Sequence, residues 1–154
     1  VEHYPVTSKN YTFGYMFEAV FSNRPLFHTY KSTLLTAPAF FPLQDSKSIF
    51  LSNFRANSFG ALGIRNVFSI NKNIDLRLEG YLFQAVKDYQ LIGLQDVSWS
   101  DNWPKAHYAA TAGFVYQSPI GPISLSYNRY DDLQKPSGVM FHAGFLIYNN
   151  RSFE

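Results

Sequence analysis

Tyr108-Ala-Ala-Thr-Ala-Gly-Phe-Val-Tyr116 and Ile123-Ser-Leu-Ser-Tyr-Asn-Arg-Tyr130 are the runs whose reading decides the fold. In the first, Tyr108, Ala110, Ala112, Phe114 and Tyr116 share a face. In the second, Ile123, Leu125 and Tyr127 point one way, and Ser124, Ser126 and Asn128 the other. Successive side chains on a strand point to opposite faces, so a period of two predicts strands. Between the runs, Ser118-Pro-Ile-Gly-Pro122 cannot continue a ladder and reads as a turn. After a polar loop over 131–137, Val139, Phe141, Ala143, Phe145 and Ile147 line one face of a final run. Met140, His142, Gly144 and Leu146 line the other.

Upstream, Ile74 to Gln84 sets Ile74, Leu76, Leu78, Gly80 and Leu82 against Asp75, Arg77, Glu79 and Tyr81. Asn71-Lys-Asn73 is a tight turn. It follows Asn57 to Ile70, with Leu62, Ile64, Phe68 and Ile70 against Gly63, Arg65 and Ser69. Tyr11 to Phe21 alternates equally well. Leu26 to Thr36 and Lys47 to Phe54 read as weaker strands, Ser22 to Pro25 as a turn, and 1–10 as a polar lead-in to one β domain over 11–154. Val86 to His107 is a long connection with Trp99 and Trp103, of the kind that lies on a barrel surface. No run has a helical period. The expectation is an all-β, antiparallel, up-and-down fold of about eight strands. In its second half short turns alternate with long loops, while in its first half the short Ser22 to Pro25 breaks that rule.

Composition indicates which solvent the apolar faces meet. Charged residues are 16 % of the 154, against roughly 25 % in a soluble domain. Aromatics are 18 %, with 15 Phe and 11 Tyr. Mean hydropathy is −0.16, and no apolar run approaches the roughly 18 residues of a spanning helix. Low charge with many aromatics spread over alternating positions fits a β-barrel in a membrane. The polar faces agree, carrying Ser, Thr, Asn and Gly instead of Lys and Glu. Tyr11, Tyr116, Tyr130 and Tyr148 fall near expected strand ends, where aromatic girdles form. The reading is therefore a β-barrel in a membrane. Ile123, Leu125, Tyr127, Phe141, Phe145 and Ile147 are lipid-facing candidates, and Arg77, Glu79 and His142 lumen-facing ones, to which the resemblance described below adds Arg55. A soluble sandwich or barrel with an aromatic core, binding an apolar ligand, is the alternative.

Little in the sequence points to chemistry. A net charge of +2 gives no footprint for nucleic acid. There is no cysteine, hence no disulfide or thiolate site. His3, His28, His107 and His142 lack ligand spacing, so no metal or cofactor is expected. Asp131-Asp132 reads as a solvated loop tip, and Trp99 and Trp103 as loop packing or interface anchors. The chain opens on Val1 without a signal peptide, which implies a processed chain or a piece of a longer one.

Several short motifs carry a resemblance. Asn53-Phe-Arg-Ala-Asn57, Ser118-Pro-Ile-Gly-Pro-Ile123 and His142-Ala-Gly-Phe-Leu-Ile147 resemble the C-terminal part of the bacterial surface antigen, or BamA/TamA-like, outer-membrane barrels. The first aligns Arg55 with an arginine that in the family reaches into the lumen, though Ala56 stands where glycine is usual. The last is similar to the signal read by the outer-membrane insertion machinery. Ala37-Pro-Ala-Phe40, Phe54-Arg-Ala-Asn57, Arg77-Leu-Glu-Gly-Tyr81 and Arg151-Ser152 are similar to the C-terminal barrels of Bacteroidetes-type patatin-like phospholipases. The resemblance implies the bacterial outer membrane and its lipid, the insertion machinery as partner, and the second half of a roughly sixteen-strand barrel. That sheet would close with a missing N-terminal half or a second copy. The implied role is the anchor or translocation pore of a surface-exported lipid hydrolase. The hydrolase Gly-x-Ser-x-Gly motif does not occur in the chain, so no enzyme activity is expected of it. A small self-contained barrel for adhesion or envelope integrity is the other membrane reading.

Overall fold

A computed structural model describes residues 1–87, 89–92, 95–100, 103–119, 121–132 and 136–144. The strands are β1 (Glu2–Thr7), β2 (Tyr11–Val20), β3 (Ser58–Asn71), β4 (Ile74–Lys87), β5 (Tyr89–Ile92), β6 (Asp96–Trp99), β7 (His107–Ser118), β8 (Gly121–Tyr130) and β9 (Ser137–Ala143). Seven form one antiparallel sheet in the order β1-β2-β3-β4-β7-β8-β9. β5 and β6 pair as a separate hairpin. The fold is all-β and up-and-down, as expected, with nine strands among the described residues. Among the described residues the sheet is not closed into a barrel, and β1 and β9 are its edges.

Two rows of paired residues show how the sequence sets the two faces. Tyr11, Phe68, Leu76, Phe114, Leu125 and Phe141 lie side by side across β2, β3, β4, β7, β8 and β9. On the opposite face, Gly14, Arg65, Glu79, Thr111, Asn128 and Gly138 form the corresponding row. Each of these six strands turns its apolar alternation the same way. Two inward glycines allow close approach of rings: a Cβ on Gly14 or Gly63 would come within 2.5 Å of Tyr4 or Tyr81.

The connection between β2 and β3 corrects the sequence reading. Leu26 to Thr36 is not a strand; it contains helix α1 (Tyr30–Thr36). Thr29 Oγ1 accepts the Ser32 backbone N–H at 3.2 Å, an N-cap bond. The helix stops at Ala37, which is extended because Pro38 follows. Lys47 to Phe54 is likewise no strand but holds parts of two 3-10 turns, Asp45–Lys47 and Ser52–Phe54. The lead-in over 1–10 is mostly strand β1, and Pro5 coincides with a register shift between His3 and Val6 that hides its alternation. With Ser22 to Pro25 inside a long connection, long and short links alternate throughout. Links over 21–57, 88–106 and 131–136 sit at one end of the sheet, and the short ones (8–10, 72–73 and 119–120) at the other.

The long 21–57 connection folds back over one face as a plug. Phe40, Leu43, Leu51, Phe54 and Ala56 pack on Phe59, Ala61, Tyr81, Phe83, Ala85 and Ala109 of the sheet. Phe54 is fully buried, with Phe83 and Tyr130 rings 5.7 and 6.2 Å away. The other face stays uncovered: Leu62 is 56 % exposed, Phe114 55 %, Leu125 52 % and Phe141 68 %. The core is thus built on the face that carries the polar residues.

Candidate functional site

The plugged face is the candidate site, and it divides along the strands. Toward the long-loop end it is aromatic and closed by the plug. Toward the short-turn end it is polar. β3 and β4 meet there with Arg65 directly opposite Glu79. Arg65 Nε lies 2.9 Å from Glu79 Oε1, an ion pair whose N–H is not aligned as a hydrogen bond. Arg65 Nη1 reaches Glu2 Oε1 of β1 at 2.6 Å. The Tyr81 hydroxyl donates to Glu79 Oε2 at 2.7 Å. It also accepts from Arg65 Nη2 at 3.3 Å. Arg77 Nε stands 3.7 Å from Glu79 Oε1. Two arginines thus balance two carboxylates, and the Glu79 side chain, 7 % exposed, sits at the centre. The row continues with Thr111, whose hydroxyl donates to Asn128 Oδ1 at 2.5 Å.

Of the expected lumen-facing residues, Arg77 and Glu79 come together, as their same-face positions imply. Arg55 lies elsewhere, in the plug. Its Nη1 donates to Leu35 O at 3.0 Å and Leu34 O at 3.5 Å, carbonyls in the last turn of α1. Its guanidinium stands 4.7 Å from the Phe50 ring centre. Burial holds the Arg55 guanidinium pKa below its ordinary value. His142, on the plugged side of β9, pairs with Ser124 in register and is exposed. Sequence reasoning missed Arg65, Tyr81, Glu2 and Tyr4. A signal was there for Arg65. With the two-residue turn Lys72-Asn73, aligning the apolar residues of β3 and β4, all even-numbered, takes a one-residue bulge in their hairpin. That bulge, between Ser69 and Asn71, sets Arg65 against Glu79.

The expected lipid-facing residues Ile123, Leu125, Tyr127 and Phe141 all lie on the uncovered face. Phe145 and Ile147 lie outside the described residues. Asp131-Asp132 is not a solvated tip. Asp132 is 4 % exposed and accepts from Asn53 N and Ser52 Oγ of the plug, each at 3.4 Å. Asn53 Nδ2 donates to Asp131 O at 2.8 Å, and Tyr130 hydrogen-bonds Asp45. The Asp131 carboxylate meets His107 Nδ1 at 3.1 Å and Lys105 Nζ at 3.4 Å. Partial burial opposes its charge, but hydrogen bonds and attraction from His107 and Lys105 outweigh this and hold the carboxyl below its ordinary pKa. Trp99 is not in a loop but ends β6, where it pairs with Tyr89 and stacks on its ring at 5.5 Å, with Lys87 Nζ 4.0 Å from its own ring. Among the described residues no group of three or more His, Asp or Glu side chains could hold a metal ion.

This geometry is that of a neutralised, hydrogen-bonded interior beside a latched plug. Compared with known proteins, no family model, curated protein or solved structure matches the chain.

Proposed function

We propose that this chain is the wall of an outer-membrane β-barrel, with the 21–57 segment as its luminal plug and the uncovered face turned to lipid. One observation carries the reading: the alternating apolar face of the sheet is uncovered, while a 37-residue connection packs on the opposite face. A soluble barrel needs the apolar face as its core, and exposed apolar area on this scale is foreign to soluble monomers. The end-to-end alternation of long and short links supports the same reading. Open edges are not tolerated in hydrocarbon, so β1 and β9 would pair with further strands of the protein or with a second copy.

The role proposed is an anchor, in line with the short motifs similar to patatin-like phospholipase barrels. Any ester hydrolysis would belong to another domain, and the insertion machinery would read the C-terminal strand. The plug favours an anchor over an open translocation pore. The test is a scan of single cysteines over residues 123–128 in lipid vesicles. Membrane-dissolved probes are expected to label positions 123, 125 and 127, and water-borne thiol reagents positions 124, 126 and 128. Equal labelling of both sets would overturn the proposal.

A further inference from the structure

The uncovered face carries one charged side chain in its paired rows from β2 to β9, that of Arg129. Arg129 is exposed, near the long-loop end of β8. Tyr127, two residues back along β8, and Tyr108, two residues from its partner Ala110 on β7, share its face and stand beside it. Among the described residues no carboxylate lies within ion-pairing distance of it. An arginine in an apolar face is costly without a counter-charge, and an intramembrane charge marks function more often than accident.

The register shows what lies beside it. Arg129 pairs with Ala110, Ala110 with Gly80, and Gly80 with Ile64. The two small residues lower the sheet surface between taller neighbours. The result is a groove of about 430 Å³, walled by Leu62, Ile64, Leu82 and Tyr108. Its lining is almost entirely apolar. A groove of this character beside an unpaired guanidinium and two hydroxyls matches one amphiphile: hydrocarbon below, an anionic oxygen-rich group above. Arginine binds phosphate oxygens in a planar fork, and tyrosine hydroxyls add donors.

We propose that this groove is a binding site for a net-anionic phospholipid, its acyl chain over Gly80 and Ala110 and its phosphate on Arg129, Tyr108 and Tyr127. The proposal rests on the lipid-facing assignment above. Its test uses the full chain reconstituted in phosphatidylcholine vesicles with a trace of photoreactive lipid. The trace is either phosphatidylglycerol or phosphatidylcholine carrying the same diazirine acyl chain, and crosslinks are mapped by mass spectrometry. Around Gly80 and Ala110 the anionic lipid should crosslink about fivefold more than the zwitterionic one, the preference expected from one basic side chain. At Phe68 and Ile74, distant on the same face, no preference is expected. Arg129→Gln should remove the preference and Arg129→Lys keep part of it. Gly80→Leu should remove it with the charge intact. The fold accommodates that change, since a Cβ at Gly80 meets only Ile64 Cγ1, at 3.8 Å. Equal crosslinking of both lipids in the wild type, or a preference that survives Gly80→Leu, overturns the site and leaves the membrane assignment standing. The second outcome would mean an arginine that merely reaches the headgroup layer. Crosslinking no stronger on this face than at Ser124 and Ser126 would overturn both.

Discussion

The two faces of the sheet have opposite relations between hydrophobicity and packing. The uncovered face is the more apolar, yet among the described residues Leu62, Ile64, Phe114 and Leu125 touch no plug or second layer. The plugged face carries Arg65, Arg77, Glu79, Thr111 and Asn128, yet it builds the core where Phe54 meets Phe83. In water the hydrophobic effect drives the more apolar face inward. The reverse arrangement, repeated across β2, β3, β4, β7, β8 and β9, is what the proposed lipid setting favours, because apolar surface needs no cover there. The partition also explains the low charge: the interior row uses a few charges, neutralises them against one another, and leaves the outside almost bare of them.

Two substitutions probe this contrast most strongly. Phe54→Ala removes a fully buried ring between plug and sheet, and should cost roughly 3–5 kcal/mol through lost burial and the cavity left behind. Phe114→Ala removes the same ring from the uncovered face and should cost far less, since no cavity forms. Denaturant unfolding midpoints in lipid vesicles give both values, and equal losses would erase the distinction between the faces. Next in size is the insertion of charge. Leu125→Arg should cost about 2–4 kcal/mol near a bilayer midplane, whereas Ser126→Arg, one residue along on the polar side, should cost much less. A soluble sheet would show no lipid dependence in either loss, so vesicle and detergent-free midpoints together decide.

A finer contrast lies within the plugged face. Glu79→Gln leaves Arg65 and Arg77 without their shared carboxylate, next to a side chain only 7 % exposed. It should cost roughly 1–3 kcal/mol, less than a fully buried pair because Arg65 is about a third exposed. Arg77→Gln, at a half-exposed side chain 3.7 Å from its partner, should cost about 1 kcal/mol or less. Equal costs in unfolding midpoints would mean that Glu79 is not the centre of the network.

The strands were legible because their period is clean: β2, β3, β4, β7 and β8 fall where alternation predicts them, within a few residues. The plug was not. Its helix is a single seven-residue element, too short for a helical period, and its one local sign was Thr29 three residues before Ser32 with Pro38 after the end. Thr and Tyr in that stretch favour strands on propensity, and tertiary packing overrode it. Arg77 and Glu79 could be placed together because neighbours two apart share a face. Arg65 belongs to another strand, and its partner depends on a bulge in the hairpin. Asp132 reads as a loop residue, and only the fold shows that it is buried under Ser52 and Asn53.

The smallest expected effect concerns how the plug end is latched, through the loop that follows β8. The Asp131 carboxylate holds His107 and Lys105, and its backbone carbonyl accepts from Asn53 of the plug. Its pKa is depressed in the folded protein relative to an ordinary aspartate near 3.9. The carboxylate form is therefore bound more favourably in the folded state. Its stabilisation is present above the unfolded pKa and is lost as pH falls through the lower, folded value. The group is largely solvated, so screening keeps the contribution below roughly 0.5 kcal/mol. Between about pH 5 and 2 the loop at 131–136 should open slightly more often, while the uncovered face, with no carboxylate in its rows, should not respond. Amide hydrogen exchange of Tyr130 and Asp131 reads the opening directly, with the amides of β8 nearer its start as internal reference. Asp131→Asn should flatten the pH dependence at Tyr130 and Asp131 and leave the reference unchanged. If exchange at Tyr130 stays equally pH-dependent in Asp131→Asn, the latch does not run through this carboxylate and its contacts with His107 and Lys105 are incidental.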